Sequence, residues 1–119
     1  MEEQSGFRTL REEERMLIHK LLGTRFPGRD ELATQLDTCL AKPLDPSGSL
    51  ELTTSILTQA SVGRRVPVEG EFEDEDGVVV HVLLHVVGGF LRELEIYKED
   101  LSDSVAKFDL QNLRVFLNE

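Results

Sequence analysis

The stretch that most constrains the fold runs from residue 65 to residue 100 and indicates three consecutive antiparallel strands joined by two tight turns. Apolar residues alternate with glutamates at its start, and the alternation returns after Gly88-Gly89. A period of two is typical of strands that bury one face. Because a slip of one residue would move every side chain to the wrong face, the pattern also constrains the register. We therefore predict a β-meander over residues 65–100.

Two turns set the predicted pairing of these strands. Glu75-Asp76-Gly77 and Val87-Gly88-Gly89 each suit a three-residue loop closed by a glycine in the left-handed region. These loop lengths determine which residues lie opposite each other on neighbouring strands, on the buried face of the meander. The predicted pairs are Phe72 with Val80, Val68 with Leu84, Val82 with Leu94, and Val80 with Ile96.

The opposite face of the meander is predicted to be acidic, with histidines and apolar residues in its middle strand. In the predicted register, His81 lies between Glu71 and Glu95, and Leu83 lies between Glu69 and Glu93. The same alternation puts Val79, His85 and Leu91 on this face. The candidate partner-binding residues are Glu69, Glu71, Glu73, His81, Leu83, Glu93, Glu95 and Tyr97.

Two helices are predicted before the meander. Leucines and an isoleucine recur at helical spacing over residues 10–22, Thr9 and Glu12 suit a capping box, and Gly23 suits the helix end. Asp30 is a suitable N-cap for a second, shorter helix. We expect the first helix to pack on the buried face of the meander.

Short strands are predicted from about Thr38 to Leu44 and from Leu50 to Ile56, on either side of a turn. The predicted fold is α+β, with two N-terminal helices on one face of a mainly antiparallel sheet of about five strands. Residues 1–119 are expected to form one domain. Within it, residues 1–8 are expected to be a loose leader, and residues 104–119 a tail whose form the pattern does not assign.

Composition narrows the possible partners. The 119 residues carry a formal net charge of −10, which argues against nucleic acid because such binding needs clustered Lys and Arg. No apolar run approaches the ~20 residues that span a bilayer, and no apolar leader segment precedes a cleavage site. The single cysteine, Cys39, allows no intrachain disulfide, as expected for a cytoplasmic protein.

No cofactor, metal site or catalytic residue is predicted. His81 and His85 lie four residues apart on one strand, hence roughly 13 Å apart, which is too far to share a metal ion. Asp74, Asp76 and Gly77 lack the spacing of a calcium loop and suit a hairpin turn. The carboxylates of the acidic face are expected to be solvated, which offers little means of separating the pKa values of an acid and a base.

Four segments together carry a family resemblance. They are Arg8-x-Leu10 with the acidic helix ending in Leu21-Leu22, then Gly48-Ser49-Leu50, then Glu71-Phe72-x-Asp74-Glu75-Asp76-Gly77-Val78, and Glu93-Leu94-Glu95-Ile96-Tyr97-Lys98-x-Asp100. With these segments the chain resembles a family of short bacterial proteins of unknown function, over about residues 8–104. The resemblance implies bacterial origin and a single α+β domain, and it transfers no catalytic residue.

The leading functional hypothesis is a non-enzymatic, acidic protein-binding module. In general style, small acidic bacterial α+β domains resemble immunity proteins that neutralise basic toxins, and an acidic face would steer such a partner. We expect a basic protein partner, and a monomer or weak homodimer in its absence. The alternative is an enzyme or small-ligand-binding domain with a site between helix and sheet.

Overall fold

The computed structural model describes residues 6–102, 105 and 108–118. Within them, α1 (Glu12–Leu21) and α2 (Arg29–Leu36) lie on one side of a seven-stranded antiparallel sheet. The strands are β1 (Arg8–Thr9), β2 (Leu40–Pro43), β3 (Leu50–Thr53), β4 (Val68–Glu73), β5 (Val79–Val87), β6 (Phe90–Lys98) and β7 (Arg114–Leu117). Their order across the sheet is β1-β2-β3-β6-β5-β4-β7. The α+β class is confirmed.

The expectation of about five strands was wrong because both edge strands were missed. β1 has only two residues, too few to show an alternation; Arg8 was assigned to the loose leader and Thr9 to the cap of the first helix. β7 forms from the tail that the sequence left unassigned, where it pairs with β4 and places Val115 opposite Gly70. Both strands exist because a neighbouring strand supplies hydrogen-bond partners, which a local pattern does not reveal.

The start of α1 also differs from the prediction. Thr9 pairs with Leu40 in the sheet, so it does not cap the helix. The first turn is held instead by the Glu14 carboxylate, which accepts a hydrogen bond of 2.8 Å from the backbone N–H of Arg11. Arg8 donates two further bonds to the same carboxylate, at 2.9 and 3.0 Å. Glu14 therefore connects β1 to α1.

The buried side of the sheet, called the inner face below, is shared between several elements. Its central side chains are at most 1 % exposed, and they are Val68, Phe72, Val80, Val82, Leu84, Leu94 and Ile96. α1 contacts β4, α2 contacts β6, and the ring of Phe108 packs edge-on against Phe72 with centroids 6.4 Å apart. Both helices were predicted to pack on this face, but α1 reaches only part of it, since its ten residues span only about 15 Å.

The register of the first hairpin is confirmed and that of the second is shifted by two residues. Val80 faces Phe72 as predicted, but its neighbour on β6 is Lys98 and not Ile96. The cause is the turn, because Val87 pairs with Phe90 and leaves a two-residue loop of Gly88 and Gly89.

Positive φ angles at both glycines make this short turn possible. The values are 62° at Gly88 and 86° at Gly89, which suits a two-residue hairpin of the type I′ class. A bulge follows, because Val86 pairs with Leu91 and His85 with Glu93, so that Arg92 is the extra residue. The shorter turn, ahead of the bulge, places Leu91 opposite Val86 on the inner face, where it is 1 % exposed, against the prediction that it lies among the carboxylates.

The two turn glycines are expected to differ in their tolerance of substitution. A Cβ at Gly89 would lie 2.9 Å from the carbonyl oxygen of Ala60, whereas a Cβ at Gly88 would have no atom within 4 Å. Gly89→Ala should lower the free energy of unfolding by about 1–3 kcal/mol, because it adds a clash to the cost of a positive φ. Gly88→Asn should change it by less than about 1 kcal/mol, since Asn tolerates this region. Urea denaturation of both variants measures the difference, and equal losses would contradict it.

Candidate functional site

The face of the sheet opposite the helices, called the outer face below, carries all eight candidate partner-binding residues named from the sequence. Its glutamates are Glu51 on β3, Glu93 and Glu95 on β6, and Glu69, Glu71 and Glu73 on β4. They surround β5, which presents Val79, His81, Leu83 and His85 to the same side. The outer-face positions of β5 alternate with fully buried ones, which is the burial pattern of a strand with one covered face.

The corrected register changes which residues face each other across the strands. His81 has Glu71 on one side and Tyr97 on the other, where Glu95 was predicted. Leu83 lies between Glu69 and Glu95, where Glu93 was predicted. A shift of two residues keeps every side chain on its face, so the composition of the outer face was right although the pairs on β6 were wrong.

His81 lies in a network of ring and carboxylate contacts. Its ring is stacked on that of Tyr97, with centroids 4.9 Å apart, and its Nε2 lies 3.1 Å from a carboxylate oxygen of Glu99. Its Nδ1 is 3.9 Å from Glu71, whose carboxylate accepts a hydrogen bond of 3.0 Å from Arg114. Sequence reasoning missed Glu99 because this residue follows β6, beyond the alternation that was used to assign the face.

His85 is held from both sides, and the two contacts assign its tautomer. The Nε of Arg65 donates a hydrogen bond of 2.9 Å to Nδ1, so this nitrogen must carry a lone pair. The hydrogen of the neutral ring then lies on Nε2, which donates to the Glu95 carboxylate at 2.8 Å. His85 therefore acts as a neutral bridge between Arg65 and Glu95.

His85, Glu93 and Glu95 form a cluster with potential metal-ligand atoms within 4.8 Å of one another. An imidazole with two carboxylates is a donor set that divalent transition metals accept. In this tautomer, however, Nε2 carries a hydrogen and offers no lone pair, and the Arg65 guanidinium adds a positive charge beside the ring. The contacts that are present therefore describe a hydrogen-bonded network and do not favour a bound cation.

Like charges face each other where β3 meets β6. Glu51 lies directly opposite Glu93, an arrangement that destabilises a sheet. Lys42 is the neighbour of Glu51 on the other side, but its ammonium nitrogen lies over the ring of Phe7, 5.9 Å from the centroid. The outer face thus keeps a local excess of negative charge.

Residues 7–107 match the model of one protein family, described as a domain of unknown function (DUF6984). The chain belongs to this family. The matched segment runs from the start of β1 through β6 and includes every glutamate of the outer face, while β7 follows it. No match to the chain was found among curated proteins or among solved structures.

Membership in the DUF6984 family agrees with the unknown-function family expected from the sequence, and it assigns no activity or site residue. Among the residues that the structure describes, no helix is long and apolar enough to cross a bilayer.

In this DUF6984 domain, the acidic turn between β4 and β5 holds the side-chain ammonium group of Lys98. The Lys98 ammonium lies 3.0 Å from Asp74 and 2.7 Å from Asp76, and the side chains of Lys98 and Asp74 are nearly inaccessible to solvent. The hydrogen bond from Lys98 lowers the pKa of Asp76, and the same bond raises the pKa of Lys98. These aspartates therefore act as partners of a side chain of β6.

The alternative prediction was an enzyme with a site between helix and sheet, and a depression of about 540 Å³ is the place to look for such a site. It lies between the first turn of α1, which contributes Glu13 and Glu14, and the turn at residues 46–48. Burial opposes the charge of Glu14, but the hydrogen bonds from Arg8 and from the backbone of Arg11 outweigh it and lower the pKa. Glu14 thus stays ionised near neutral pH, which does not suit a general acid.

The lowered pKa of Glu14 predicts a pH dependence of stability. A carboxyl group whose folded-state pKa lies below its ordinary value, here 4.5, contributes stability that is present above this value. The contribution is lost as the pH falls through the lower, folded-state pKa. Glu14→Gln should therefore remove part of the acid-induced loss of stability, measured by urea unfolding between neutral pH and about pH 2.

Glu12→Gln provides the control, because Glu12 lies in the same helical turn and is exposed. It should leave the shape of the pH profile close to that of the wild type. Identical profiles for Glu14→Gln and the wild type would contradict the role of the Arg8–Glu14 pair.

Five depressions on the described surface have lining residues that include neither His81 nor His85. The two histidines and their carboxylates lie on the face of the sheet opposite the helices, with their side chains partly exposed. Such a surface is suited to contact with a macromolecule more than to enclosure of a small substrate.

Proposed function

We propose that this protein is a non-enzymatic binding module whose outer face binds a basic protein. The observation that carries the proposal is the concentration of glutamates on adjacent strands, including the facing pair Glu51 and Glu93. A sheet that keeps like charges opposite each other loses stability, and a cationic partner would relieve the repulsion. The same charge would speed association with a basic partner, in a manner that salt weakens.

Apolar side chains on the outer face give such an interface its contact area. Leu83 lies in the middle of the face between Glu69 and Glu95. Tyr97 is 36 % exposed and Phe116 is 41 % exposed, and both lie on the same face as Leu83. Aromatic residues within a polar surround are common anchors of protein interfaces. The outer face therefore combines charge for steering with apolar groups for affinity.

The kind of partner follows from this charge. A basic toxin neutralised by an immunity-like protein is one candidate, and in that reading the module acts in the cytoplasm of a bacterium. A formal net charge of −10 disfavours self-association through the acidic face, so the free protein is proposed to be monomeric or to dimerise weakly. A weak homodimer would use Phe116 and Tyr97, and light scattering as a function of concentration distinguishes the two states.

The decisive experiment reverses charge on the outer face only. In Glu73→Lys/Glu93→Lys, each substitution replaces an outer-face carboxylate, and the second one puts an ammonium opposite Glu51. The control, Glu12→Lys/Asp37→Lys, makes the same change in net charge at exposed positions on the helical side. Pull-downs from the source cell are made with the wild type and both variants, at low and high salt. A partner protein should be retained at low salt by the wild type and by the control variant. It should not be retained by the outer-face variant, or by any of the three proteins at high salt.

A defined basic probe tests the location of binding without knowledge of the partner. An arginine-rich synthetic peptide, titrated into the labelled protein, should shift the amide NMR signals of β4, β5 and β6. The shifts should disappear in Glu73→Lys/Glu93→Lys and persist in Glu12→Lys/Asp37→Lys. Shifts of equal size at Glu12 and Glu13 of α1 would overturn the proposal, because the peptide would then bind to negative charge anywhere on the surface and not to the outer face.

A further inference from the structure

A second surface of the protein has the opposite character, apolar with positive charge at its rim. A cavity of about 330 Å³ lies at the end of the sheet near the close of β7. Its apolar lining consists of Phe26, Pro27, Val62, Pro67 and Leu117. Arg25, Arg64, Gly63 and Asn118 complete the lining, which includes no Asp or Glu.

The floor of this cavity is continuous with the hydrophobic core. Phe26, Val62 and Leu117 are partly buried and pack against core residues. Close packing also fixes the walls, since a Cβ at Gly28 would lie only 2.8 Å from a methyl carbon of Val62. The turn at residues 25–28 and the loop at residues 61–64 are therefore in tight contact, which gives the cavity a defined shape.

Arg25 and Arg64 are exposed, and neither makes a hydrogen bond or an ion pair with the described residues. Asn118 donates a hydrogen bond of 2.7 Å to the carboxylate of Glu69. Asn118 also donates to the carbonyl oxygen of Val66, so its amide group holds the loop against β7. The two guanidinium groups thus keep their donors for an external anion.

We propose that this cavity binds a small amphiphilic carboxylate, with its apolar body against Phe26, Val62 and Leu117 and its carboxylate between Arg25 and Arg64. Guanidinium groups bind carboxylates through charge-assisted, often bidentate hydrogen bonds. The volume of about 330 Å³ is near the lower end of the range for ligand pockets. A short or medium acyl chain fits this size. The lining of this cavity shares no residue with the outer face as defined above.

Octanoate is the probe, used below its micellar concentration and followed by amide and methyl NMR signals. We expect saturable shifts confined to residues 25–28, 61–67 and 117–118. 1-Octanol should bind more weakly because it lacks the charge, and octylammonium should not bind because two arginines repel it. Absence of saturable shifts at these residues, or equal binding of octylammonium, would overturn the proposal.

Variants distinguish octanoate binding in this cavity from a general attraction of octanoate to exposed arginines. Arg25→Gln and Arg64→Gln should each weaken octanoate binding by about tenfold, as expected for the loss of a charge-assisted hydrogen bond. Arg92→Gln is the matched control, because Arg92 is an exposed arginine at the β6 bulge, and it should leave the affinity unchanged. Arg25 and Arg64 are exposed, so both variants are expected to fold. NMR signals away from the substituted residue that match those of the wild type would verify this. Equal weakening in all three variants would overturn the proposal.

A membrane is another source of acyl chains with anionic groups, and sedimentation with phosphatidylglycerol vesicles tests it. We expect no co-sedimentation, since the cavity is too small for a lipid and the net charge of −10 opposes an anionic surface. Vesicle binding that is lost in Arg25→Gln and Arg64→Gln would assign these arginines to a membrane contact and would overturn the small-ligand site.

Discussion

Phe72→Ala is expected to lower the free energy of unfolding by about 3–5 kcal/mol, the range for truncation of a buried phenylalanine. Phe72 is 1 % exposed in the middle of the inner face, and the ring of Phe108 lies edge-on against it. Removal of the ring leaves a cavity that α1 and the Phe108 segment must fill. Stabilities of small domains are typically about 5–15 kcal/mol, so the loss is a large share of the total.

Phe116→Ala is the matched control for this prediction. Phe116 is on β7, the strand paired with β4, but it lies on the outer face and is 41 % exposed. Its truncation should cost less than about 1 kcal/mol, as for exposed positions. Urea denaturation of both variants measures the two losses. Similar losses would mean that Phe72 is not central to the core.

The two hairpins of the meander show what alternation predicts and what it does not. In the first, Glu75-Asp76-Gly77 occupies a loop between strands whose register was predicted correctly. In the second, two adjacent glycines allow a turn one residue shorter, and the bulge at Arg92 shifts the pairing by one further residue in the same direction. The sum of these changes is a shift of two residues. Loop length and bulges depend on local backbone conformation, which apolar periodicity does not report.

The shift of two residues explains why the residues of the outer face were predicted correctly while the contacts between them were not. Glu93, Glu95 and Tyr97 keep their face after a shift of two because the side-chain period of a strand is two. Leu91 lies between the turn and the bulge, so only the single-residue change acts on it and moves it to the inner face. The cluster of His85, Glu93 and Glu95 depends on pairing and was missed for the same reason.

Buried polar side chains are the other feature that the sequence did not reveal. In α2 the apolar Leu32 and Leu36 are fully buried, and the polar Gln35 is fully buried as well. Its Nε2 donates to the carbonyl oxygens of Thr58 and Gly89, at 2.8 and 2.9 Å. Its Oε1 accepts a bond of 2.9 Å from the N–H of Leu91. The partners are distant in sequence, so no local pattern indicates them.

Gln35→Leu is therefore expected to lower the free energy of unfolding by about 2–5 kcal/mol. The leucine keeps the approximate volume but leaves one backbone N–H and two carbonyl oxygens without their partner, and each unsatisfied group costs about 1–3 kcal/mol when buried. Because Gln35 joins α2 to the second hairpin, the loss should also be local. Hydrogen exchange at the Leu91 amide should become faster under native conditions.

Gln59→Leu is the control, since the exposed Gln59 donates a bond of 2.9 Å to the carbonyl oxygen of Gly88 in the same turn. That carbonyl can exchange its partner for water, so the expected loss is less than about 1 kcal/mol. Urea denaturation measures both losses, and amide exchange followed by NMR measures the local effect at Leu91. If Gln35→Leu were as stable as Gln59→Leu, with unchanged exchange at Leu91, the second hairpin would be held by its apolar contacts alone.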